Sequence, residues 1–120
     1  MNLFSSDVLC PANVQTMLLM DGMRLLVLAP FLEECVFRLG VQHYLIQHRV
    51  TQAKGSAWQA VLFSSLLFSL MHIGQGSIAV CAVFLPGLAL AFLYQIKRSF
   101  FLCVLTHSFF NGALLLVCKW

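Results

Sequence analysis

Glu33, Glu34 and Arg38 stand in the middle of a run from Leu25 to Gln47 that is otherwise almost entirely apolar. A charge at the centre of a bilayer costs roughly 2.5 to 3.5 kcal/mol on insertion scales, while a Leu or Ile returns only about 0.3 to 0.6. Packing alone does not account for three of them. Phe68 and His72 follow in a second apolar stretch, and His107 and Asn111 in a third. Glu34 with Arg38, Phe68 with His72 and His107 with Asn111 are each four apart, so each pair shares one helix face. Arg38 keeps its charge in almost any environment, and Glu34, one turn away, is its natural counter-ion. Glu33 is left without one, and it is the group suited to take a proton from water near neutral pH. Two imidazoles and a carboxamide at the same depth could orient that water and donate hydrogen bonds to the oxyanion of a tetrahedral intermediate. The chemistry so described is hydrolysis of an amide or ester within a membrane.

Other assignments of the same residues are less favoured. Glu33, His72 and His107 could make a three-ligand zinc site with an open position. There is no His-Glu-x-x-His, however, and a Glu34 tied to Arg38 has less charge to offer a cation. A metal-free mechanism without a cofactor is therefore expected, with zinc as the alternative. Cys35 lies beside the glutamates but has no basic neighbour by helix geometry. Ser64, Ser65 and Ser69 show no Gly-x-Ser-x-Gly elbow and read as helix-contact residues. Phe68 reads as packing, and His43 and His48 belong to a basic turn. The five cysteines are odd in number and lack C-x-x-C spacing, so they read as small buried hydrophobes rather than disulfides or thiolate ligands.

The elements that must carry these residues follow from composition. Of 120 residues, 61% are hydrophobic and only 9% charged, against about 25% charged in a soluble domain. Such a chain cannot cover its own surface with polar groups, and the expected fold is all-α: a polytopic transmembrane helix bundle forming one domain over residues 1–120. The net charge of +3 comes from Lys and Arg scattered between apolar runs, which gives no basic stripe and no nucleic-acid partner. No secretory signal pattern opens the chain.

About four spans are expected. Leu25–Gln47 is long enough to cross, with a kink near Pro30. Trp58 to about Ile73 forms the second, Ile78–Ile96 the third with Pro86-Gly87 at its middle, and Ser99–Cys118 the fourth. Gly74 to Ser77 is an uncharged turn. Met1–Asp21, with Pro11, is expected to hold a short interfacial helix, and Asp21 could pair with Arg24. His48, Arg49 and Lys54, then Lys97 and Arg98, place two turns in the cytoplasm by the positive-inside rule, so both chain ends lie outside. Measured from those turns, Glu34 and His72 each lie roughly 21 Å deep, Asn111 roughly 18 Å and His107 roughly 12 Å. Polar groups on separate helices thus reach nearly one level.

Glu33-Glu34-x-x-x-Arg38, Phe68-x-x-x-His72 and His107-x-x-x-Asn111, in this order on separate apolar helices, resemble the three motifs of the CAAX protease and bacteriocin-processing (CPBP) intramembrane proteases, whose best-known branch is the type II CAAX prenyl endopeptidases. Ala29-Pro30 and Phe37-Arg38-Leu39-Gly40 are also similar to the first motif. The resemblance implies that Glu33 activates water with His72, that Glu34 and Arg38 hold the helix geometry, and that His107 and Asn111 stabilise the oxyanion. It further implies a membrane-anchored peptide or protein substrate. Family members commonly carry additional spans before the first motif, and these 120 residues are expected to hold the catalytic core. Nothing in the sequence points to a prenylated substrate; trimming of membrane-anchored peptides or C-terminal sorting tails in a prokaryotic inner membrane is the expected setting. The competing class is non-enzymatic: an immunity or scaffold protein of the same fold, or a small proton-conducting bundle.

Overall fold

The computed structural model describes residues 22–48 and 56–119, so the expected N-terminal interfacial helix, Asp21, Arg49 and Lys54 lie outside the described residues. Among the described residues the fold is helical throughout, with no strand. Helix α1 runs without a break over 24–48; α2 is Ser56–Leu70, α3 is Ser77–Lys97 and α4 is Phe100–Lys119. All four fall where the apolar runs place them.

Helix α1 is not a uniform α-helix. Two wide π-type stretches, Arg24–Leu28 and Cys35–Gln42, alternate with α-helical Ala29–Glu34 and His43–His48. The N–H groups of Ala29 and His43 reach back five residues, to the carbonyls of Arg24 and Arg38. The buried stripe explains why. Pro30, Glu34, Arg38, Gln42 and Ile46 are all buried and recur every fourth residue. A step of four overshoots a 3.6-residue turn by about 40°, so a pure α-helix would carry this stripe away from its neighbours within a few turns. Wider π turns rotate it back. Pro30, where a kink is expected, is the second residue of the α-helical stretch that follows the first π-wound one.

Helices α2 and α3 make the most extensive contact in the molecule. The buried residues of α2 are Ala60, Val61, Ser64, Ser65, Phe68 and Ser69, a single face at ordinary α-helical spacing and mostly small. Those of α3 are Gly87, Leu90, Ala91 and Tyr94. Small residues let two backbones approach where apolar surface has no water to escape from. The Ser69 hydroxyl donates to the Val80 carbonyl across this contact, and Gln42 Nε2 ties α1 to α3 by donating to the Ala91 carbonyl at 2.7 Å.

The turns are short and chemically specified. Helix α2 ends at Leu70, and a 3₁₀ turn, Ile73–Gln75, leads to Gly76, whose φ of 106° suits a residue without Cβ. Between α3 and α4 only Arg98 and Ser99 intervene. Arg98 takes a left-handed conformation, its N–H bonding the Tyr94 carbonyl at 2.9 Å, and the Ser99 hydroxyl accepts from the Leu102 N–H. That tight reversal lays α4 back along α3 and against α1.

By length and apolarity, two helices among the described residues can cross a membrane: Ser77–Lys97 and Phe100–Val117. The expected four spans are therefore met as four helices but only in part as spans. Helix α1 carries four charges, Arg24, Glu33, Glu34 and Arg38, and the apolar part of α2, Trp58–Leu70, is short.

Candidate active site

Glu34 and Arg38 are fully buried and pair at 2.7 Å between Nε and Oε2. Both terminal nitrogens also donate: Nη1 to the Ser64 hydroxyl at 3.0 Å and Nη2 to the Gly87 carbonyl at 3.4 Å. The guanidinium carbon lies 5.7 Å from the centre of the Phe68 ring. A buried cation is tolerable only when paired and hydrogen-bonded, and the bonds to Ser64 and Gly87 tie α1 to α2 and α3.

The other oxygen of Glu34 meets helix α4. His107 Nδ1 lies 2.8 Å from Glu34 Oε1, and its Nε2 lies 3.4 Å from Glu33 Oε2. The ring is thus held by the buried glutamate on one nitrogen and faces the second glutamate with the other. Glu33 differs from Glu34 in setting: its side chain is 34% exposed while that of Glu34 is wholly enclosed. One carboxylate is structural in its surroundings; the other is open to approach.

His72 lies past the end of α2, in the turn. Its Nδ1 is 3.0 Å from the Phe68 carbonyl, and its ring is half-buried. A hydrogen bond from Nδ1 to that carbonyl would leave Nε2 as the free nitrogen. Phe68 is the common wall: its ring contacts Phe37 at 5.3 Å, His72 at 5.2 Å and His107 at 5.6 Å between centroids. Gly87 makes room for it, since a Cβ there would stand 2.7 Å from Phe68 Cδ1.

Asn111 is placed differently. Its Nδ2 donates to the Leu25 carbonyl of α1 at 2.9 Å, in the π-wound stretch ahead of Pro30. The structure therefore brings Glu33, Glu34, Arg38 and His107 into direct contact, sets His72 against the Phe68 ring that also meets His107, and joins Asn111 to α1 through the Leu25 carbonyl. Among the described residues, no three His, Cys, Asp or Glu side chains form a group that could hold a metal ion. Cys35 is partly buried and makes no hydrogen bond or ion pair to the histidines.

Three contributors were not singled out from sequence: Ser64 as a ligand of Arg38, Gly87 as both acceptor and hollow, and Gln42 as the clasp to α3. Gln42 had a visible signal, being the next step of four after Glu34 and Arg38. Ser64 and Gly87 had none, because their roles depend on which helices are neighbours.

Residues 15–113 match the family model described as type II CAAX prenyl endopeptidase Rce1-like. No curated protein and no solved structure gives a significant match.

Proposed function

The chain belongs to the Rce1-like type II CAAX prenyl endopeptidase family, a family of membrane-embedded proteases, and from that premise we propose that it is an intramembrane endopeptidase in which Glu33 activates the attacking water. One observation carries the reading. Of two adjacent carboxylates, one is enclosed and ion-paired while the other is partly open and lies 3.4 Å from the His107 imidazole. Environment has given two like groups different work.

Glu33, assisted by His72, takes a proton from water, and the hydroxide attacks the carbonyl carbon of the scissile bond. The tetrahedral oxyanion is stabilised by donors on α4, His107 and Asn111. Collapse of the intermediate breaks the C–N bond, and the proton held by Glu33 passes to the leaving amine. Glu34 fixes the His107 ring, and Arg38 holds Glu34.

The substrate class is a peptide held at the membrane by a lipid or an apolar segment. The family description adds a prenylated C-terminal peptide as a second candidate beside an unprenylated sorting tail; the turn carrying His72, flanked by the exposed Met71 and Ile73, gives an apolar approach to the site. Four membrane crossings in a prokaryotic inner membrane, with the site toward the outer face, complete the proposal. The test is cleavage of two tethered probes in liposomes, a farnesylated Cys-aliphatic-aliphatic-Met peptide and an unprenylated peptide with an apolar anchor. Cleavage of either, lost in His72→Ala, supports the proposal; equal turnover by His72→Ala rules it out. Turnover that survives exhaustive chelation supports the metal-free mechanism, and restoration only by added zinc refutes it.

A further inference from the structure

The hydrogen bond from Asn111 to Leu25 has a cause in the backbone of α1. Across Arg24–Leu28 the helix is wound so that an N–H reaches five residues back, and the N–H of Ala29 is taken by the carbonyl of Arg24. The next carbonyl, that of Leu25, would in the same register accept from residue 30. Residue 30 is Pro, which has no N–H. The Leu25 carbonyl is thereby stranded inside an apolar segment, where an unmet acceptor is costly. Asn111 Nδ2 fills it at 2.9 Å from another helix.

We infer that Pro30 is a positioning residue for Asn111: by withholding a backbone donor, it creates the acceptor that fixes the carboxamide of Asn111. A carboxamide nitrogen carries two hydrogens. The Leu25 carbonyl takes one and sets the plane of the group, so the second N–H has a defined direction. This inference rests on the proposed oxyanion role of Asn111 for its effect on rate, but its structural half stands independently. Replacing Pro30 by Ala would restore an N–H to α1, satisfy the stranded carbonyl from within the helix and release Asn111.

The experiment uses the full chain labelled with ¹⁵N-asparagine in lipid nanodiscs. The sequence has three asparagines, Asn2, Asn13 and Asn111, so the Asn111 side-chain amide signal is assigned by its loss in Asn111→Ala. In Pro30→Ala that signal is expected to move toward the shift of a solvated carboxamide and to lose its protection from exchange. With the farnesylated probe, kcat is expected to fall roughly tenfold or more, within the range a misplaced catalytic group produces, with KM little changed. Pro30→Ala added to Asn111→Ala is expected to cause no further loss. An Asn111 signal unmoved by Pro30→Ala overturns the inference, as do losses that multiply in the double variant. Should the wild type cleave no probe, the proposed function fails and the amide signal alone decides the inference.

Discussion

The proposed chemistry rests on a distinction between neighbours. Glu33 and Glu34 are adjacent in sequence, and burial separates them, since one is enclosed against Arg38 while the other keeps a third of its side chain accessible. That division was legible in the sequence, because a counter-ion one turn away belongs to Glu34 alone. The second partner of Glu34 was not legible. The bond to His107 joins positions 73 residues apart, and no local spacing announces it. Two consequences belong at this scale. Arg38→Met leaves Glu34 buried without its cation and is expected to destabilise by about 3 to 5 kcal/mol, read as a lowered denaturation midpoint in detergent. The double variant with Glu34→Gln is expected to recover part of that loss. His107→Ala, which removes a donor from the proposed oxyanion site, is expected to lower kcat by about 10² to 10³ while the protein still accumulates in the membrane.

Helices placed the residues, and their existence was the most readable feature of the chain. All four overlap the expected apolar runs with ends shifted by one to three residues, and Gly74 to Gly76 lie in the expected turn while Ser77 already opens α3. The winding of α1 was less readable. A period of four is compatible with an ordinary helix over two turns; only the length of the stripe, from Pro30 to Ile46, excludes it. The end of α2 also differed from expectation, since helical propensity carries no strong stop before Gly74, yet the helix closes at Leu70 and presents His72 from a turn. Gly87 tests the packing between elements. Adding one methyl group there drives a carbon into the Phe68 ring, and Gly87→Ala is expected to cost about 1 to 3 kcal/mol. Because Phe68 also walls both histidines, the same change should slow turnover. Phe68→Leu in that background is expected to restore the thermal midpoint more fully than the rate.

At the scale of the whole molecule, the exposed surface is lipid-like. Leu85, Phe101, Leu105, Phe109, Leu116 and Val117 lie open along α3 and α4, consistent with a membrane protein whose polar groups turn inward. Helix α2, at 15 residues, spans about 22 Å against a hydrocarbon core of about 30 Å. Its end would then lie below the membrane surface, which would put His72 and the partly open Glu33 where water is scarce but present. Cysteine substitution at Gln75 and at Lys97, probed with an impermeant maleimide in oriented vesicles, should label from opposite sides if α3 crosses. Labelling from one side would refute that topology. The central claim is that Glu33 is the base, and the direct measurement is single-turnover cleavage of the farnesylated probe by wild type and Glu33→Gln at equal folded amounts in the bilayer. Glu33→Gln is expected to lose at least about 10²-fold in rate with its thermal midpoint unchanged. Cleavage by Glu33→Gln at the wild-type rate would contradict the claim.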